Sequence, residues 1–149
     1  MGHAPSDQAH ITGLWCVVEA IAIGALGSPR AAITMLARHF GFDALETEGA
    51  INFVMRSRAA VATIAPDDLV AAGEADVLEL TRGQEPELPR ALKWQIARAD
   101  EAYDAVLVEA RRITVGTTRV ASESFPMAVP PEEAERRCRR ALMEAWVGR

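Results

Sequence analysis

The run LKWQIARADEAYDAVLVEARRI, from Leu92 to Ile113, carries the strongest periodicity in the chain. Leu92, Ile96, Ala99, Tyr103, Val106, Ala110 and Ile113 recur there at alternating steps of four and three. That spacing lines apolar side chains along one stripe of a helix and gives a heptad seam. It predicts a long helix near 90–115, in which the small Ala99 and Ala110 let a neighbouring helix approach closely.

Immediately upstream, Thr81 to Pro89 is rich in Gly, Pro and charge and reads as an exposed connector spanning 81–89. Ahead of it, a first helix is predicted from about residue 8 to Leu26, with Gly27 as its left-handed stop. Ser28 then caps a second helix, Pro29 occupies its first turn, and it ends near Phe40 and Gly41. Asp43 opens a predicted third helix carrying Leu45, Ile51, Val54, Met55, Val61 and Ile64 and ending near Ala65, with Gly49 as its weak point. Pro66, Asp67 and Asp68 open a shorter helix towards Gly73.

Downstream of the seam, Gly116 to Pro130 reads as a frayed helix end followed by an extended linker. A last helix is predicted from Pro131 to about Val147. Its Glu132–Arg136, Glu133–Arg137 and Glu135–Arg139 pairs stand at i, i+4 with the acid nearer the N-terminus, the favourable order. These elements sum to an all-α bundle of about five to seven helices. Residues 1–9 form a flexible N-terminal arm, and 10–149 form one helical domain, with 10–65 and 90–147 as two hairpins of a pseudo-repeat.

Composition narrows the function. A chain of 149 residues with 50% hydrophobic and 25% charged residues is expected to fold as one domain. A net charge of −5, with neither half basic, disfavours nucleic-acid binding. Cys16 and Cys138 belong to no metal-type spacing, and the apolar stretch Ile11 to Leu26 is short and interrupted by Glu19. A cytoplasmic protein with no transmembrane segment, no metal and no cofactor is expected.

Enzyme signatures are missing. The sequence has no G-x-S-x-G elbow, no P-loop, no G-x-G-x-x-G turn and no H-E-x-x-H. His39 is a candidate partner for Cys16 as a nucleophile pair, read against the ordinary role of a helix-end histidine. Glu19, on the side of the first helix shared with Cys16 and Ile23, is a candidate buried carboxylate. Trp15, Glu19, His39 and Tyr103 are the residues that would line a ligand pocket within a bundle. A helix-turn-helix over Ile33 to Val54 fits poorly, because Thr47 and Ala50 stand where buried aliphatics belong.

The successive amphipathic helices, the Leu92 to Ile113 seam and the linker Phe125-Pro126-Met127-Ala128-Val129-Pro130-Pro131 resemble bacterial phasin-type proteins. That resemblance implies helices that associate with one another and coat granules in the cytoplasm, and it carries over no functional residue. The expected function is a non-enzymatic helical interaction or scaffold protein. It would form a homo-oligomer or bind a protein, granule or membrane surface through the seam. The alternatives are a small-ligand or enzymatic pocket near Glu19 and His39, and a DNA-binding regulator.

Overall fold

Residues 9–14, 17–23, 28–47, 49–56, 60, 62–69, 83–100, 102–113 and 115–147 are described by a computed structural model. In chain order they form β1 (Ala9–Thr12), β2 (Ala20–Ile21), α1 (Pro29–Phe40), β3 (Phe42–Thr47) and β4 (Ala50–Met55). Short 3-10 turns follow at Pro66–Asp68 and Glu85–Glu87, then β5 (Ala91–Ala97), β6 (Ala105–Arg111), β7 (Val120–Ala128) and α2 (Pro131–Val147). The strands make a three-stranded sheet ordered β1-β4-β3 and a four-stranded sheet ordered β2-β7-β5-β6. The all-α bundle is thereby overturned, and with it the long helix near 90–115.

The heptad stretch is a β-hairpin. Strands β5 and β6 run antiparallel, with Leu92 opposite Ala110, Trp94 opposite Val108 and Ile96 opposite Val106. A step of four lands on the same face of a strand as readily as on the same stripe of a helix. Of the three steps of three, two flank the turn, where Ala99 and Tyr103 sit, and the third leads from Ala110 to Ile113, past the end of β6. Ala102 and Tyr103 close that turn at φ 51 and 64, and Arg98 pairs with Asp100 at 2.7 Å. The in-facing row is Leu92, Trp94 and Ile96 on β5 and Val106, Val108 and the small Ala110 on β6, and its aromatic and β-branched members suit a half-buried pleat.

The third predicted helix is also a hairpin. Gly49 adopts φ 77 in the turn between β3 and β4, a left-handed conformation that glycine reaches without a Cβ penalty. Phe42 pairs with Met55 and Ala44 with Phe53, and β1 adds in parallel, Ile11 beside Phe53. A helix-turn-helix over Ile33 to Val54 is excluded, because a hairpin follows α1. The first predicted helix gives way to β1 and β2; Trp15, Cys16 and residues 24–27 lie outside the described residues, as do 1–8 of the N-terminal arm and 70–82.

The stretch read as a linker is the nine-residue strand β7, parallel to β5 on one side and antiparallel to β2 on the other. Residues 112–119 carry the chain from β6 around the start of β5. Arg90 N donates to Arg119 O at 2.7 Å, and the buried Thr117 hydroxyl donates to Leu88 O at 3.0 Å. The register against β5 slips between Gln95 and Ala97, opposite Pro126, which has no N–H to give a ladder.

Helices α1 and α2 occupy the spans read from their caps. Ser28 caps α1, Pro29 stands in its first turn, and Gly41 ends it at φ 73. On α2, Ala134, Cys138, Leu142 and Trp146 recur every four residues and are buried, packing on Trp94, Ile96, Val108 and Ala110 of the sheet. The Trp146 indole N–H donates to Pro89 O at 2.9 Å, so its polar edge is satisfied inside the core.

Candidate functional site

The tight exit from α1 into β3 drives His39 into the core. It is 1% exposed, and its ring centroid lies 4.7 Å from Phe40, 5.1 Å from Trp94 and 4.9 Å from Phe125. Neither ring nitrogen has a hydrogen-bond partner. Burial first, and then the nearby Arg137, lower its pKa to about 4 against the opposing pull of Glu133. The imidazole is neutral near pH 7 and walled off from any substrate by aromatic rings. Arg137, itself buried, donates to Phe40 O at 3.0 Å and so satisfies a carbonyl freed at the end of α1.

A cleft of about 770 Å³ opens where α1, β3 and α2 meet the four-stranded sheet, floored by Leu92 and Trp94 and walled by Ile33, Ala37 and Ala141. Charged residues close its rim. Arg38 bonds Glu123, and Arg56 grips Asp43 through two bonds of 2.9 and 2.8 Å. Glu144 on α2 lies 3.5 Å from Arg56, while Arg140 reaches both Glu144 at 2.7 Å and the Arg56 carbonyl at 2.8 Å. The Arg56 guanidinium holds the Asp43 carboxyl below the usual carboxylate range. Through these pairs the rim fastens the β3–β4 hairpin to α2.

The residues predicted to share a pocket are dispersed. Glu19 is exposed and lines a separate depression of about 380 Å³ with Arg98, Asp100 and Glu132; its backbone N–H donates to Ala128 O at 3.0 Å. Tyr103 stands at the tip of the β5–β6 turn, 59% exposed. Trp15 lies outside the described residues, as does Cys16. Cys138 is fully buried on α2, and burial pushes its thiol up to about 11. Of the seam, Leu92, Ile96, Val106 and Ala110 face α2, whereas Ile113 is 84% exposed beyond β6. No group of three or more His, Cys, Asp or Glu fit to hold a metal occurs among the described residues.

Sequence reading passed over the Asp43–Arg56–Glu144–Arg140 clamp and the Arg38–Glu123 pair. Bonded partners lie up to 88 positions apart in the chain, from Arg56 to Glu144, and become neighbours only once the hairpin is drawn. The other surface feature is openness. β1 and β3, and β2 and β6, are the outer strands of their sheets among the described residues, and Ile11, Leu45, Leu107, Ile113, Met143 and Val147 are exposed apolar side chains on or near them.

The family described as "Putative phage tail protein" matches residues 28–149. A chain in a structure titled "Virion of native gene transfer agent (GTA) particle" superposes with a TM-score of 0.88 and 26% sequence identity. The match covers 98% of this chain and 33% of that one, so this chain spans about a third of the other's length. No curated protein matches. These findings replace the resemblance to phasin-type granule proteins.

Proposed function

Since the chain belongs to the family of putative phage tail proteins, we propose that it is a non-enzymatic building block of a phage-tail-like or gene-transfer-agent particle, assembled there with other proteins. The single observation that carries this reading is the superposition of nearly the whole chain on part of a virion chain. The surface agrees with it: sheets with open edges and apolar borders suit burial against neighbours better than an isolated life in water. The helical granule scaffold of the sequence reading is withdrawn, because the structure is β-rich.

The contacts proposed are with protein. Among the described residues no helix is long and apolar enough to cross a membrane. We place the folding of the chain and its first assembly steps in the cytoplasm, and read residues 10–149 as one folding unit crossed by the connector at 81–89. Deleting the gene in the native host tests the role. The expected outcome is particles or heads lacking complete tails, restored by the gene in trans; intact, fully active particles without the chain would refute the reading.

A further inference from the structure

Among the described residues, every Arg and Lys side chain is ion-paired to a carboxylate except Arg30, Arg90, Arg112 and Arg119. Three of these exceptions stand side by side at one end of the four-stranded sheet: Arg90 precedes β5, Arg112 follows β6 and Arg119 precedes β7. Arg112 N donates to Arg90 O at 2.9 Å and Arg90 N to Arg119 O at 2.7 Å, so they form a row across neighbouring strands. Carried one step further, the strand registers set Arg112 opposite Arg90 and Arg90 beside Arg119, and residues opposite in a ladder share a face. Arg112 shows which face it is. Its guanidinium lies 4.6 Å from the centre of the Trp146 ring and bonds the Met143 sulfur at 3.6 Å, on the side covered by the end of α2.

The fold offsets little of this charge. No basic side chain occupies the last turn of α2, so the row faces the negative end of a helix dipole. That end counts for about half an elementary charge, and three guanidinium groups exceed it by roughly 2.5 charges. Glu85 and Glu87, on the turn before β5, form no ion pair with the row: a Glu85 carboxylate oxygen accepts the Gly116 N–H at 3.1 Å, and Arg119 reaches the Glu87 carbonyl at 2.9 Å. The Nε donors of Arg90 and Arg112 find no acceptor. Apolar side chains border the same end, with Met143, Val147 and Ile113 all exposed.

We infer that this end of the sheet receives a segment of a neighbouring protein of the particle, one that presents carboxylates beside apolar side chains. Planar carboxylates match the guanidinium fork, and Met143, Val147 and Ile113 supply the apolar contact that interfaces built on Arg, Met and aromatic side chains use. A nucleic acid fits less well. Its phosphates meet a chain of net charge −5, and its backbone brings nothing apolar to cover Val147 and Ile113. A second copy would bring the same −5, which opposes self-association.

This inference deepens the assembly reading and rests on it for the origin of the partner. The probe is a fluorescently labelled short peptide of alternating glutamate and leucine, titrated with the 149-residue chain and followed by anisotropy. Saturable binding is expected, weakening as salt is raised. Arg119→Glu and Arg90→Gln should each weaken it by about tenfold or more, the equivalent of one charge-assisted hydrogen bond. Arg30→Glu, at the start of α1, should leave it unchanged, and all three variants should keep the circular dichroism of the wild type. No saturable binding, an equal loss with Arg30→Glu, or tighter binding of a short DNA duplex overturns the inference; so does wild-type self-association abolished by Arg119→Glu, which gives the row to a second copy. In the native host, Arg119→Glu should fail to restore active particles to a deletion strain that the wild-type gene restores. Full restoration by Arg119→Glu overturns the docking and leaves the assembly reading standing, whereas a deletion without any defect removes the assembly reading and, with it, the partner named here.

Discussion

His39 holds a cost inside the core. A buried polar group without a partner costs about 1–3 kcal/mol, and both ring nitrogens of His39 are in that position. Replacing it with leucine, of similar volume, is expected to raise unfolding free energy at pH 7.5 by about 1 kcal/mol or more, measured by urea titration. The pH dependence has a definite sign. The pKa falls from 6.5 in the unfolded chain to about 4 in the folded one, so the unfolded chain binds more protons between those values. Stability is full above pH 6.5 and declines as pH drops towards 4, by about 3 kcal/mol for a shift of this size. His39→Leu should flatten that slope. A second residue-scale expectation concerns Trp146: phenylalanine there strands the Pro89 carbonyl and weakens the Arg112 stack, costing about 1–3 kcal/mol in the same assay.

At the scale of elements, turns decide which helical reading survives. Gly49 has open space around the position of a Cβ, so Gly49→Ala meets only backbone strain. It should destabilise the chain by about 1–2 kcal/mol, seen as a lower midpoint of thermal unfolding. Ala102→Gly should act in the opposite sense, by about 0.5–1 kcal/mol, because it relieves a positive φ at an exposed turn. Both helices among the described residues were legible because their ends are written chemically: Ser28, Pro29 and Gly41 for α1, Pro131 and the Glu–Arg order for α2. The strands were not, because their apolar spacing fits a helical period as well as a strand's. Leu92, Ile96, Val106 and Ala110 are symmetric about position 101, so a hairpin folded there shows the same fours as a heptad. Trp94 and Val108, omitted from the seam, are the residues that mark period two. Pro126 likewise suggested a linker, although a bulge accommodates it within β7.

For the whole molecule, only a coarse expectation was legible. Missing enzyme motifs and a chain without a basic half pointed to an interaction role. The nature of the partner was illegible, since a contact surface has no side-chain signature comparable to a nucleophile or a metal ligand. The candidate site was equally hidden, because its charges come from α1, β3, β7, α2 and the residue after β4, and meet only in the folded chain. Contact through open strands and their apolar borders depends on which edges the topology leaves unpaired, a property of the sheet order. The account therefore stands or falls on membership of a particle. Quantitative mass spectrometry of gradient-purified particles from the native host tests it most directly. The chain should band with the tail proteins in a fixed copy ratio that persists through repeated purification; its absence from the particles, or a ratio that falls towards zero with each gradient, would contradict the account.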